Sequence, residues 1–172
     1  MCTKWNTYKD KEYFSTERLK YQIQFYNNLF KNFNIDKNTT AVEIGAGHGI
    51  STEIFVNIFD EYIAVEPNKI LYDKLLELKN NKYNNMITIN SNFENITIEK
   101  VNLLIFTNSF QFIDFNTCLT KVNELLLTNG FLLILLPFIP FEFEHFDNKI
   151  EWRKQINNVL KSIISNENYE LL

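Results

Sequence analysis

Apolar positions along this chain alternate between two periods. Ser15–Phe33 places Leu19, Ile23, Tyr26, Leu29, Phe30 and Phe33 on one stripe at helical spacing. Thr40–Ile44 is a short β-rich run, and Ile50–Phe59 returns to helical spacing through Ile50, Ile54, Phe55, Ile58 and Phe59. Tyr62–Val65 and Met86–Ile89 read as strands on either side of a helix over Lys69–Asn80, whose apolar face is Ile70, Leu71, Leu75 and Leu78. Val101–Phe106 is too apolar to be a half-exposed strand. Asn116–Leu127 is expected to be helical, with Asn116 or Thr117 as N-cap and Gly130 as a stop just beyond its end. Phe131–Leu136 follows as a fifth strand, apolar on both faces, and Asn148–Ile164 reads as a last helix. Strands buried on both faces and separated by helices predict an α/β domain with a parallel sheet covered on two sides.

Composition refines this picture without changing it. A chain of 172 residues that is 45% hydrophobic and 22% charged is expected to form one domain with a real core. The net charge is −4 and no Lys/Arg cluster stands out, so binding to nucleic acid is disfavoured. Cys2 and Cys118 have neither metal-site spacing nor the number for a disulfide framework. Met1–Asp10 lacks an apolar signal region. Phe131–Phe141 is broken by Pro137 and Pro140, well short of the ~20 residues that a spanning helix requires. The expected setting is the cytoplasm, with no membrane contact. Glu142, Glu144, His145 and Asp147 read as an alternating solvated segment, so no metal site is expected.

Candidate chemistry begins at Ala41–Thr52, A-V-E-I-G-A-G-H-G-I-S-T, which holds three of the four glycines in the chain. In an open α/β sheet, ligands bind beyond the carboxyl ends of the strands, where this turn falls. Gly45 and Gly47 would let backbone approach a ligand, and Gly49 would let the following helix pack close to the strand. The dinucleotide frame G-x-G-x-x-G fails at Ile50, and no Lys follows a Gly as a P-loop requires. Glu66 ends the second strand about 20 residues after Gly45, the place of an acid that accepts from ribose hydroxyls. Asn92 offers a donor and an acceptor to an adenine edge, and Phe93 a ring face. No general base stands out, since His48 in the glycine turn is expected to face solvent.

The segments E-I-G-A-G-H-G, V-E-P-N, S-N-F-E-N-I, V-N-L-L-I-F-T-N-S-F-Q-F-I-D and L-L-L-T-N-G-F-L-L-I together resemble the class I S-adenosylmethionine-dependent methyltransferases, over about Trp5–Pro137. The nearest look is to the small-molecule branch that includes trans-aconitate and ubiquinone-type enzymes. The resemblance implies a Rossmann-like, doubly wound, mostly parallel sheet. It also implies S-adenosyl-L-methionine as cofactor, S-adenosyl-L-homocysteine as product and a small-molecule methyl acceptor. By position, Glu43, Gly45, Ala46 and Gly47 would line the methionine and ribose portion, and Glu66, followed by Pro67, would hold the ribose. Asn92 and Phe93 would address the adenine, Thr107 and Asn108 the sulfonium and acceptor, while Tyr13 and Arg18 would close over the donor. The domain would divide into an N-terminal helical cap (1–38), a cofactor-binding core (39–137) and a C-terminal helical segment (138–172).

The sequence also departs from the family pattern. Asn92 and Asn102 stand where the family commonly has Asp, Gln111-Phe112 where it often has His-Trp, and Thr128-Asn129-Gly130 has one glycine fewer than usual. Residues 138–172 are too few for the family's closing strand pair, with Tyr169–Leu172 at most one short strand. A shortened C-terminal pair would leave a sheet edge for a second copy or a protein partner to cover. Two rival functions follow. A nucleic-acid adenine methyltransferase carries Asn-Pro-Pro-Tyr or a near relative after strand four; Asn108-Ser109-Phe110-Gln111 keeps the Asn and an aromatic but lacks the proline, which together with the acidic balance argues against that function. A non-catalytic relative would keep only the fold and serve as a partner subunit.

Overall fold

The sheet runs β3-β2-β1-β4-β5, all strands parallel, in a computed structural model that describes residues 23–135. The elements are α1 (Ile23–Asn32), β1 (Ala41–Ile44), α2 (Thr52–Phe55), β2 (Tyr62–Val65), α3 (Lys69–Lys82), β3 (Met86–Ile89), β4 (Val101–Thr107), α4 (Phe115–Leu125) and β5 (Leu126–Leu135), with 3₁₀ turns at Phe93–Asn95 and Phe110–Phe112. Chain order reverses across β1, which pairs with β2 on one side and β4 on the other. That junction is the switch point at which such sheets bind ligands.

The period-2 alternation of the central strands sorts their side chains into two cores. Ala41, Tyr62, Ala64, Leu103 and Ile105 pack with Tyr26, Phe30, Phe55, Phe59 and Leu75 from the helices on one face. Val42, Ile44, Ile63, Val65, Leu104 and Phe106 pack on the other face with Phe93, Phe110, Cys118 and Val122. Every residue of β1 and β2 is buried, as expected for strands sandwiched between helices. Phe106 is wholly buried and meets Phe93 and Phe110 edge-on, each at 5.3 Å. Burial of such a ring contributes about 1.5–3 kcal/mol.

Several expected boundaries move. The helix predicted over Ile50–Phe59 is one turn, Thr52–Phe55. The Asn57 side chain donates to the Glu53 carbonyl (2.6 Å), the acceptor that its own N–H would use in a longer helix. The cap of α4 is Asp114, not Asn116 or Thr117, and its Oδ1 accepts from the Thr117 N–H at 3.0 Å. Helix α3 continues two residues past Asn80, and its cap, Asn68, accepts from Ile70 and Leu71. Gly130 is no helix stop: α4 ends at Leu125 and β5 starts directly after it. Residues 127–130 stand opposite the single Asn102, because Val101 pairs with Leu126 and Leu103 with Phe131. Asn129 takes the left-handed turn there, at φ 67°. Strand β5 is apolar on both faces over Phe131–Leu135 yet half-exposed, because it is the sheet edge among the described residues.

The expected N-terminal extension of α1, the helix over Asn148–Ile164, the strand at Tyr169–Leu172 and His145 with its acidic neighbours all lie outside the described residues. Among the described residues, no helix is long and apolar enough to cross a membrane.

Candidate donor site at the β1–β4 switch point

The turn after β1 is held in the left-handed region at all three glycines, with φ of 74° at Gly45, 63° at Gly47 and 102° at Gly49. What stands beside each differs. A Cβ on Gly45 would stand 2.5 Å from the Cβ of Ser109, so the loop after β4, and not a ligand, occupies that space. A Cβ on Gly49 would strike Leu78, so the close approach there is to α3, not to the helix that follows the turn. Gly47 alone faces open space, with nothing within 4 Å of a Cβ placed on it. Of the three, this is where something outside the protein can come close to the backbone.

The amides of the turn are already engaged. Gly45 and Ala46 N–H donate to the Val65 carbonyl (2.8 and 3.0 Å), and Gly49 N–H donates to Ala46 (3.1 Å). Gly47 N–H donates to Glu66 Oε2 at 2.7 Å. A phosphate cradle needs a row of such donors aimed outward. The geometry therefore agrees with the failed P-loop and dinucleotide frames: these amides are not aimed outward as an anion cradle.

Glu66 is 2% exposed at the end of β2. Its second oxygen accepts from Asn68 N–H at 2.8 Å, so one carboxylate fastens the glycine turn to the start of α3. Burial raises its pKa, the two amide donors pull it down, and the nearby Glu43 charge pushes it up further. Asn90 secures the same corner, donating to the Glu66 and Pro67 carbonyls at 2.8 and 3.3 Å.

Glu43 lies beneath the turn and is completely buried. Its carboxyl accepts from the Ser51 hydroxyl, from Thr52 Oγ1 (2.6 Å) and from the Tyr62 hydroxyl (3.2 Å). Burial raises its pKa, and these hydroxyls draw it partly back. Burial also holds the Tyr62 phenol well above its ordinary range, so it stays a donor. Glu43 can thus affect a ligand only through the turn that it supports.

A shallow cleft opens beyond the carboxyl ends of the strands. Gly45, Pro67, Asn92 and Phe93 line it, as does the loop after β4 through Ser109 and Phe112. Four of the expected site residues are thus gathered in one wall. Ala46 is buried under the turn, Thr107 is buried beside Glu43, and Asn108 opens the loop after β4 at a left-handed φ of 54°. His48 is half-buried rather than solvent-facing. Tyr13 and Arg18 lie outside the described residues. The contributions of Ser109 and Asn90 were missed because each depends on a contact with a distant strand; the Ser109 hydroxyl, for example, bonds the Ile44 carbonyl. The open face of Gly47, the buried acid below it and the Asn92–Phe93 wall fit a nucleoside that carries no phosphate.

The chain resembles S-adenosylmethionine-dependent methyltransferases of known structure. An Aquifex aeolicus enzyme of that kind superposes with a TM-score of 0.63 at 13% identity, over 77% of each chain. A Methanococcus maripaludis protein assigned to the same class gives 0.67 at 20%, over 87% of this chain and 78% of the other. The YcgJ protein of Bacillus subtilis gives 0.57 at 17%, over 66% of this chain; this chain spans only 50% of YcgJ. At these identities the likeness establishes the methyltransferase fold. No curated protein matches the sequence. The family model for ribosomal RNA adenine dimethylase matches residues 11–112, more than half of the chain, from the N-terminal segment through the glycine turn and Glu66 to the loop after β4. The chain belongs to the ribosomal RNA adenine dimethylase family.

Proposed function

We propose that this chain transfers a methyl group from S-adenosylmethionine to the amino group of an adenine in RNA. The observation that carries the reading is the family match, which takes in both the donor turn and the Asn108–Phe112 loop. The sequence alone favoured a small-molecule acceptor; the family match favours the nucleic-acid alternative.

The donor supplies an electrophilic methyl on a sulfonium, and the protein supplies alignment. In this proposal Gly45, Ala46 and Gly47 border its methionine and ribose part, and Glu66 receives the ribose hydroxyls. Pro67, Asn92 and Phe93, together with Phe112, flank its adenine. The Glu66 carboxylate beside Gly47 favours a cationic ligand over a neutral one. Tyr13 and Arg18 would close over the donor. Thr107 and Asn108 border the acceptor. An adenine amino group shares its lone pair with the ring, so an amide oxygen that accepts its N–H helps to localise that pair on nitrogen. A methylated amino group still carrying both its hydrogens is strongly acidic and loses a proton to solvent, so no dedicated base is required.

A small-molecule acceptor is the second reading, favoured by the net charge of −4 and the lack of a Lys/Arg cluster. A third possibility is a non-catalytic partner subunit. The β5 edge exposes Leu127 and Phe131, and the proposal includes a second copy or a protein partner there. We further take residues 1–172 as one domain working in the cytoplasm.

Titration with S-adenosylmethionine and S-adenosylhomocysteine by calorimetry tests the foundation. Both should bind, with a Tm that climbs as ligand is added. No binding at millimolar ligand would sink the methyltransferase reading and promote the partner-subunit one. Supplying label-bearing donor with RNA in one vessel and a metabolite extract in another then separates the two acceptor classes.

A further inference from the structure

Ser109 is wedged between the two halves of the site. It is only 5% exposed, and its hydroxyl donates to the carbonyl of Ile44, the last residue of β1. Its Cβ fills the space that the absent side chain of Gly45 leaves. The other bonds of this loop run elsewhere. Asn108 N–H donates to Leu135 of β5 (2.9 Å). Gln111 Nε2 donates to the Asn108 carbonyl (2.8 Å), and Phe112 N–H to that of Ser109 (3.1 Å). Those bonds hold the loop to itself and to β5, whereas the Ser109 hydroxyl ties it to the strand that carries the glycine turn.

We propose that Ser109 is a positioning residue that sets the distance between the donor turn and the Asn108 loop, and thereby the alignment of the methyl group with its acceptor. The inference rests on the methyl-transfer reading above. In-line transfer is steep in distance, and a displacement of about 1 Å can cost ~100-fold in rate. Glycine at position 45 is then required for two reasons: its left-handed φ, and the room it gives the Ser109 wedge. A proline in the place of Ser109, as in the Asn-Pro-Pro-Tyr pattern, would have no hydroxyl; this chain makes the tie with a hydrogen bond instead.

The test is Ser109→Ala in the full chain, with three readouts. Donor affinity by calorimetry should fall far less than transfer does, because alanine keeps the Cβ that packs against Gly45 and the turn keeps its own bonds. Hydrogen exchange of the amides at residues 108–112 should quicken ~10-fold or more in the ligand-free protein, as local opening becomes easier. Single-turnover methyl transfer should fall on the order of 100-fold. Ser109→Cys, which keeps a weak donor on a similar frame, should recover part of both losses, and it carries the same measurements if the Ala variant does not fold. Unchanged exchange and transfer in Ser109→Ala would overturn the proposal, as would a Ser109→Cys variant no better than Ala, or donor affinity falling in step with transfer. If the unaltered protein binds no donor, the function reading fails by itself; the exchange measurement still decides whether Ser109 fixes the loop.

Discussion

Glu66 and Gly47 are joined across the mouth of the site: the Gly47 N–H donates to the Glu66 carboxylate at 2.7 Å, and that carboxylate is buried. The acid therefore shapes the turn as well as offering an oxygen to a ligand. Glu66→Ala should weaken donor binding by ~1.5–3 kcal/mol, the worth of a hydrogen bond to a charged group. It should also lower thermal stability, because the Gly47 and Asn68 amides lose their acceptor. Calorimetry and thermal unfolding on one preparation check both effects, and unchanged donor affinity would remove Glu66 from the binding site.

Two glycines of the same turn should fail in different ways. Gly49→Ala forces a Cβ onto Leu78 at a left-handed φ, so stability should drop by about 2–4 kcal/mol from overpacking and backbone strain together. Gly47→Ala meets no atom of the protein, so its cost to stability should be only the ~1–2 kcal/mol of left-handed backbone. Its Cβ projects into the open face, so donor affinity should fall by more than stability does. Equal losses of affinity in the two variants, once corrected for folding, would contradict the placement of the donor over Gly47.

Acid–base behaviour follows from Glu43. Burial raises its folded pKa above the ordinary value of 4.5, so the folded protein holds a proton that the unfolded chain releases. The stability linked to that proton is fully present below the ordinary value and is lost as pH rises through the raised folded pKa. Tm should therefore decline with pH over that window, and Glu43→Gln, which cannot titrate there, should show a flatter profile. Glu66 is raised for the same first reason and would keep part of the slope. Identical profiles for the two proteins would show that Glu43 does not titrate in the folded state.

The sheet was legible because Val101–Phe106 is apolar enough that only burial on both faces suits it, and because short β-rich runs such as Tyr62–Val65 alternate with helix-period segments. The glycine frame and Glu66 were legible because their spacing is local and chemically specific. Helix ends were less so: Asp114 beat Asn116 and Thr117 as the α4 cap, and three residues of one type of chemistry cannot be ranked from sequence. The reason for Gly45 was hidden, since Ser109, 64 positions later, occupies the space beside it. Gly130 misled because a stop after a helix and a glycine in a looped-out strand look alike in sequence. The choice of acceptor class was not legible either, because charge and composition describe the whole chain, while the family pattern is spread over residues 11–112.

The central claim is methylation of adenine in RNA, and the most direct test is to identify the modified nucleoside. RNA incubated with the protein and S-adenosylmethionine would be digested to nucleosides and analysed by mass spectrometry, beside the Asn108→Ala variant. The account predicts adenosine methylated at the amino group, reduced ~10²-fold or more in the variant, the scale of losing a positioned polar group at a reacting centre. Donor that binds while every adenosine stays unmodified, with methyl label appearing in small molecules, would contradict it.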